Sequence, residues 1–192
     1  MGTLDLALSI VLGIGLAAAV GLRVFLPLLV MSVAAWSGHL TLAANFQWLG
    51  GLPAMLMLGV AALLEISAYY VPGLDNLLDT IATPAALVAG TVAAAAVMTD
   101  MPPLVKWTTA IIAGGGAAGL TQGVTTMLRA KSTLGTGGLG NPFIATGELG
   151  GALGLSILAI VMPIAALITL ALAVWLSFAL VRRLLRRRQT TS

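Results

Sequence analysis

Long apolar runs broken by short polar punctuation dominate this chain, and the runs predict its elements one by one. Residues 4–20 form the first run and 24–36 the second, with only Gly-Leu-Arg between them. A membrane-crossing helix needs about 20 apolar residues, so both runs are short. The pair is either a span followed by a half-helix or a hairpin that does not fully cross. Residues 37–49, SGHLTLAANFQWL, carry a His, an Asn, a Gln and two aromatics, a mixture suited to an interfacial loop. Pro53 to Tyr70 reads as a third helix, 73–80 as a short amphipathic piece, and 83–98 as a fourth helix. Pro84 falls in the first turn of that fourth helix, where a missing N–H costs little. Leu104 to about Leu128 is a fifth helix ending in LRAK, and 132–142, STLGTGGLGNP, a pliable loop. From Phe143 to Val181 the chain is apolar except for Glu148; that is too long for one span, and Pro163 marks the break.

These runs are apolar on every side, without the alternation that a membrane β-barrel strand requires. In hydrocarbon a helix satisfies its own backbone. The expected fold is therefore all-α, a polytopic transmembrane helix bundle of six or seven membrane segments, some short, broken or re-entrant. It forms a single transmembrane domain over 1–184, followed by a basic cytoplasmic tail over 185–192. Small residues recur at four-residue steps (Gly13, Ala17, Gly21; Gly115, Gly119, Gly123; Gly147 with Gly151; Gly150 with Gly154), which predicts close helix approach. GLAAAVGL at 15–22 echoes GGGAAGL at 114–120, and this suggests an internal duplication with halves 4–99 and 103–184.

Composition narrows the class. Of the 192 residues 59% are hydrophobic and only 8% charged, against about 25% charged in an average soluble domain. The mean hydropathy is +1.08. A net charge of +3 suggests nucleic acid until the charges are located: five of nine basic residues lie in RRLLRRRQ, 182–189, after a long apolar run. That is the flank of a membrane segment retained on the inner side, so we expect a cytoplasmic (inner) membrane protein with its C-terminus in the cytoplasm and no nucleic-acid partner. The N-terminal MGTLDLALSI has an acid where a signal peptide has a basic region. With no Cys, thiolate chemistry is excluded; with a single His39, so is a multi-histidine metal centre. No cofactor is implied.

Three of the six acids, Glu65, Asp75 and Asp79, fall within 15 residues. A charge at the bilayer centre costs roughly 2.5–3.5 kcal/mol on insertion scales, so each must lie at an interface, pair with a base, or stay protonated. Glu65 follows a charge-free helix and lies near its end. Asp75 and Asp79, four apart, share a face if 73–80 is helical. They are either a charged interfacial connector or a re-entrant pair facing a polar cavity. Arg23 is either a snorkelling boundary residue or a buried counter-ion for Glu65, an aspartate or an anionic substrate. Arg129 and Lys131 close the fifth helix, where cations favour its negative end. Glu148 either caps a helix N-terminus or completes an oxygen-rich site with Asn141 and the mid-chain acids. Such oxygens suit Na⁺, Mg²⁺ or Ca²⁺, but no ligand spacing selects a metal. No catalytic residue is identified: there is no Gly-x-Ser-x-Gly and no Ser beside a His base, and the glycine-rich loop lacks the Gly-Lys-Ser/Thr of a P-loop.

GLRVFLPLL near the start, Glu65 followed by VPGLDNLLDTIATPAALVAGT, and GNPF with Glu148 after it resemble the bacterial DUF4126 family of membrane proteins. The resemblance covers about 13–163 and implies the fold and the membrane location but no activity. One departure is local: where that family often has an Asp-Lys pair before the proline, this chain has Tyr69-Tyr70.

Three functional classes remain open at this stage. The first is a small transporter or permeation pathway for an ion, proton or small polar solute, with Arg23, Glu65, Asp75, Asp79, Asn141 and Glu148 at its site. The second is a structural or accessory membrane protein. The third is a membrane-embedded enzyme acting on a lipid or phosphate ester, the reading with least motif support. The partners expected are the lipid bilayer, a small ion or polar solute, and a second copy of the chain in a homo-oligomer.

Overall fold

The structure is a computed structural model that describes residues 2–71 and 74–189; within the helices, the side chains of 74–77, 79 and 177–189 lie outside the described set. All regular structure among the described residues is helical: α1 (Thr3–Val20), α2 (Phe25–Trp36), a 3₁₀ turn (Ala44–Gly50), α3 (Leu52–Tyr69), α4 (Leu74–Val97), α5 (Pro103–Thr109), a π-helical segment (Ala110–Gly115), α6 (Gly116–Thr136), α7 (Asn141–Val161) and α8 (Pro163–Gln189). Four stretches are long and apolar enough to cross a membrane: Thr3–Val20, Leu52–Tyr69, Thr80–Val97 and Asn141–Val161. Phe25–Trp36 and Pro163–Leu176 are apolar but shorter.

α1 is the axis of the bundle, and Leu16 to Val20 are completely buried. It runs antiparallel to α4, with Gly13 against Ala94 and Ala17 against Gly90. It runs parallel to the π segment and α6, with Ala17 beside Gly114 and Gly21 against Ala118 and Thr121. It runs antiparallel to α7, with Gly15 on Ala159 and Leu22 on Gly151. At Gly21 and Gly90 a side chain would collide with its neighbours, so these glycines set the helix spacing where lipid provides no hydrophobic drive.

After Gly21 the chain turns back. α2 lies antiparallel to α3, with Phe25 beside Glu65, Leu29 beside Gly59 and Ala35 beside Gly50. The loop beyond α2 reaches the end where α1 began: the Ala43 N–H donates to Ala96 O, and the Phe46 ring meets Trp107. α1 and α2 are thus the two arms of one hairpin. Its tip, opposite Ala118, lies midway between Lys106 and Lys131 on the unbroken helix 103–136, about 18–20 Å of helix from each.

Several boundaries differ from the sequence reading. The amphipathic piece and the fourth helix are one helix, α4, with Pro84 inside it rather than in its first turn. Surrounding helices support an interrupted ladder of this kind. The fifth helix continues through the LRAK stretch to Thr136, so 132–136 are helical rather than loop. The true turn is 137–140, where Gly137 and Gly138 have φ of +63° and +92°, a backbone that side-chain-bearing residues rarely adopt. The break at Pro163 is where it was expected. Of the small-residue rows, Gly13, Ala17, Gly21, Gly115, Gly119 and Gly151 do serve close contacts, whereas Gly123, Gly147, Gly150 and Gly154 face open space.

Candidate functional site

The hairpin tip creates the problem that the site solves. A helix beginning inside a bundle exposes its first N–H groups to an interior without water. In α2, Pro27 has no N–H to satisfy, and the amides of Val24 and Phe25 both donate to the Glu65 carboxylate, at 2.7 Å to Oε1 and 3.0 Å to Oε2. A carboxylate also complements the positive end of the α2 dipole. Glu65 is 7% exposed and comes from the last turn and a half of α3. Its position near the helix end, read from the sequence, holds.

Arg23, in the tip itself, is 1% exposed. Its Nη2 donates to the Ala145 carbonyl at 3.1 Å and lies 3.5 Å from Glu148 Oε2. Glu148, 5% exposed, is held from the other side by Arg129, 3% exposed. Arg129 Nε donates to Oε1 at 3.0 Å and its Nη2 pairs with Oε2. This is the two-pronged arrangement for which guanidinium geometry is suited. Both guanidiniums also lie over one ring: Cζ of Arg23 and Cζ of Arg129 are 3.8 and 3.9 Å from the Tyr69 centroid. Such contacts gain strength where water is excluded. Five side chains from the hairpin tip, α3, α6 and α7 therefore form one cluster, in which two cations converge on one oxygen of Glu148.

The sequence candidates divide as follows. Arg23, Glu65 and Glu148 come together at the tip. Arg23 is a buried counter-ion rather than a boundary residue; it lies 3.5 Å from Glu148, and its charge acts on Glu65 as well. Glu148 lies in the second turn of α7 and binds arginine rather than capping the helix. Asn141 lies two turns before Glu148 on the same buried stripe, and its Nδ2 donates to Thr133 Oγ1 at 3.0 Å. Asp75 and Asp79 are on α4, and their side chains lie outside the described residues. No group of three or more His, Asp or Glu among the described residues could hold a metal ion. His39 is exposed in the turn after α2, with Nδ1 3.0 Å from Ser37 Oγ.

Arg129 and Tyr69 were not anticipated. Arg129 looks like a helix-end cation only if α6 stops near Leu128; once the helix continues to Thr136, Arg129 is an interior residue on a buried stripe with Ala118, Gln122 and Thr125. That stripe, at steps of four, three and four, is the signal available in the sequence. Tyr69 carries no such signal, because the two guanidiniums over its ring come from two other elements, the hairpin tip and α6.

The arrangement can hold an anionic group between two cations, and it can exchange protons or hydrogen-bond partners at two carboxylates. No curated protein and no solved structure matches the chain. A family model described as Domain of unknown function (DUF4126) matches residues 10–183, nearly the whole chain, and the protein belongs to that family.

Proposed function

We propose that this protein is a small membrane transporter or permeation pathway, and that the cluster of Arg23, Glu65, Tyr69, Arg129 and Glu148 is the mid-membrane site where an ion, proton or small polar solute binds. The observation that carries the reading is the position of the cluster at the tip of a hairpin that ends halfway along the bundle. Non-helical backbone at that depth is tolerated where it is buried in protein or lines a cavity, and half-helix ends at mid-membrane are a recurring way to build substrate sites. Stability gives a weak reason for the charges, since a buried ion network rarely outperforms apolar residues of the same volume. Asn141, with Asp75 and Asp79 of α4, extends the proposed site.

On this reading α3, α4, α5–α6, α7 and α8 each cross the bilayer, and with the two hairpin arms they make seven membrane segments in one domain. On the same reading the basic tail argues for a cytoplasmic C-terminus, and five crossings then put the N-terminus on the other side of the inner membrane. The duplication of 4–99 and 103–184 and assembly into homo-oligomers remain proposals of the same kind.

A second reading, a structural or accessory membrane protein, is favoured by the Glu65 cap, which satisfies α2 whether or not anything is transported. Reconstituted vesicles separate the two. Protein-containing liposomes are expected to show proton or ion flux above empty vesicles in a panel of monovalent and divalent ions, and Glu148→Gln to abolish it. Flux equal to that of empty vesicles across the whole panel would leave the accessory reading standing.

A further inference from the structure

We infer that the cluster is an oxyanion seat: its ligand carries a carboxylate or phosphate group, which takes the place that Glu148 occupies between Arg23 and Arg129. The inference rests on the transport reading for its purpose but not for its geometry.

Each element in the described cluster that attracts negative charge is occupied by a carboxylate of the protein itself. The first is the α2 N-terminus, where two successive amides donate to the two oxygens of Glu65. The second is the arginine pair, where Arg129 grips Glu148 through Nε and Nη2 while Arg23 Nη2 lies 3.5 Å from the same Oε2. The two occupants are not held alike. Glu65 caps the α2 N-terminus from α3, with one backbone amide on each of its oxygens. Glu148 is held only by side chains of other elements among the described contacts, and one guanidinium, that of Arg23, also binds the Ala145 carbonyl one turn away. A ligand oxyanion can therefore replace Glu148 without unfolding a helix end, and it cannot replace Glu65 on those terms.

The recognition chemistry selects among ligands. Two guanidinium forks converging on one oxygen fit a carboxylate or phosphate, whose oxygens accept paired N–H bonds. The Tyr69 ring, 3.8 and 3.9 Å from the two Cζ atoms, keeps both cations in place when the acid leaves. A metal cation has the opposite requirement, and no described group of acids meets it.

Binding in detergent tests this with inorganic phosphate, acetate and dihexanoyl phosphatidic acid as probes and sodium chloride as the control. Glu148→Gln removes the competing charge and is expected to tighten oxyanion binding at least about tenfold (a change of 1.4 kcal/mol), whereas Arg129→Gln abolishes it. Preference for phosphatidic acid over phosphate identifies a lipid headgroup as the source, and the reverse identifies a soluble anion. In the wild-type protein, which needs no variant to fold, phosphate should speed modification of Glu148 by dicyclohexylcarbodiimide, because an occupied seat frees the acid. Equal labelling rates with and without the three probes, or oxyanion affinity unchanged or weakened in a folded Glu148→Gln protein, would overturn the inference. Cation flux that depends on Glu148 without oxyanion binding would sink the oxyanion seat and leave transport intact. Oxyanion binding without any flux would do the reverse.

Discussion

Above the level of Gly21, α1, α4 and the π segment meet through Ala17, Gly90, Ala94 and Gly114; below it, the hairpin tip, α3, α6 and α7 meet through Arg23, Tyr69, Arg129 and Glu148. The upper region is held by shape. Its contacts are glycine backbone against backbone and alanine Cβ atoms, each worth little and numerous because only small side chains stand between the helices. The lower region is held by charge, with a few strong contacts whose partners could be exchanged. A shape-held seam has one arrangement and resists change; a charge-held cluster can have a second arrangement whenever another ion competes for its partners. The division sets shape-held packing around α1 and exchangeable charge contacts beneath the hairpin tip, the allocation that the proposed binding site requires.

Substitutions can sharpen or break this contrast. The largest effect is expected from Arg129→Leu, which strands Glu148 in an apolar interior; loss of one partner of a buried pair costs about 3–5 kcal/mol, readable as a shift in reversible unfolding in detergent. A cost under about 1 kcal/mol would mean that water reaches the cluster freely. Next comes Gly90→Val, whose Cβ alone would collide with Ala118 Cβ and meet Gly114 O at 3.3 Å; overpacking of this kind costs about 1–3 kcal/mol and should lower stability without altering the anion selectivity of the proposed seat. Changed anion selectivity would show that the seam and the cluster are not separable. Glu65→Gln keeps one acceptor for the α2 amides and loses the charge, at an expected cost of about 1–2 kcal/mol, with slowed exchange protection lost first at Val24 and Phe25. The smallest effect belongs to Gly150→Ala, at a position facing open space; it should be neutral or stabilising by up to about 1 kcal/mol, and a large loss would place an undescribed neighbour there.

The sequence made the helices legible because apolar runs need no knowledge of neighbours: α1, α2, α3 and the break at Pro163 fall within a residue or two of their expected positions. It misled where a local rule was overridden by packing. Pro84 reads as a helix start, yet α4 carries it internally. The polar STLGT stretch reads as loop, yet it extends α6. The second error hid Arg129, since a residue at a helix end and one on a buried stripe have the same letter. The pairing of Glu65 with backbone amides was beyond reach, because it depends on the hairpin folding back beside α3. Pairings between elements far apart in the chain are a property of the assembled bundle.

The π segment at Ala110–Gly115 has a consequence for aim. Buried positions along this helix, Ala110, Gly114, Ala118 and Gln122, recur every four residues, and in a regular α-helix each such step turns the buried face by about 40°. Only the first of these steps lies within Ala110–Gly115; from Ala118 onward the buried stripe follows Gln122, Thr125 and Arg129 at the regular spacing of four, three and four, which keeps Arg129 on the face of Ala118. The wider turn therefore acts on that first step alone, an angular offset that lets Ala110 and Gly114 share the face on which the α6 stripe begins.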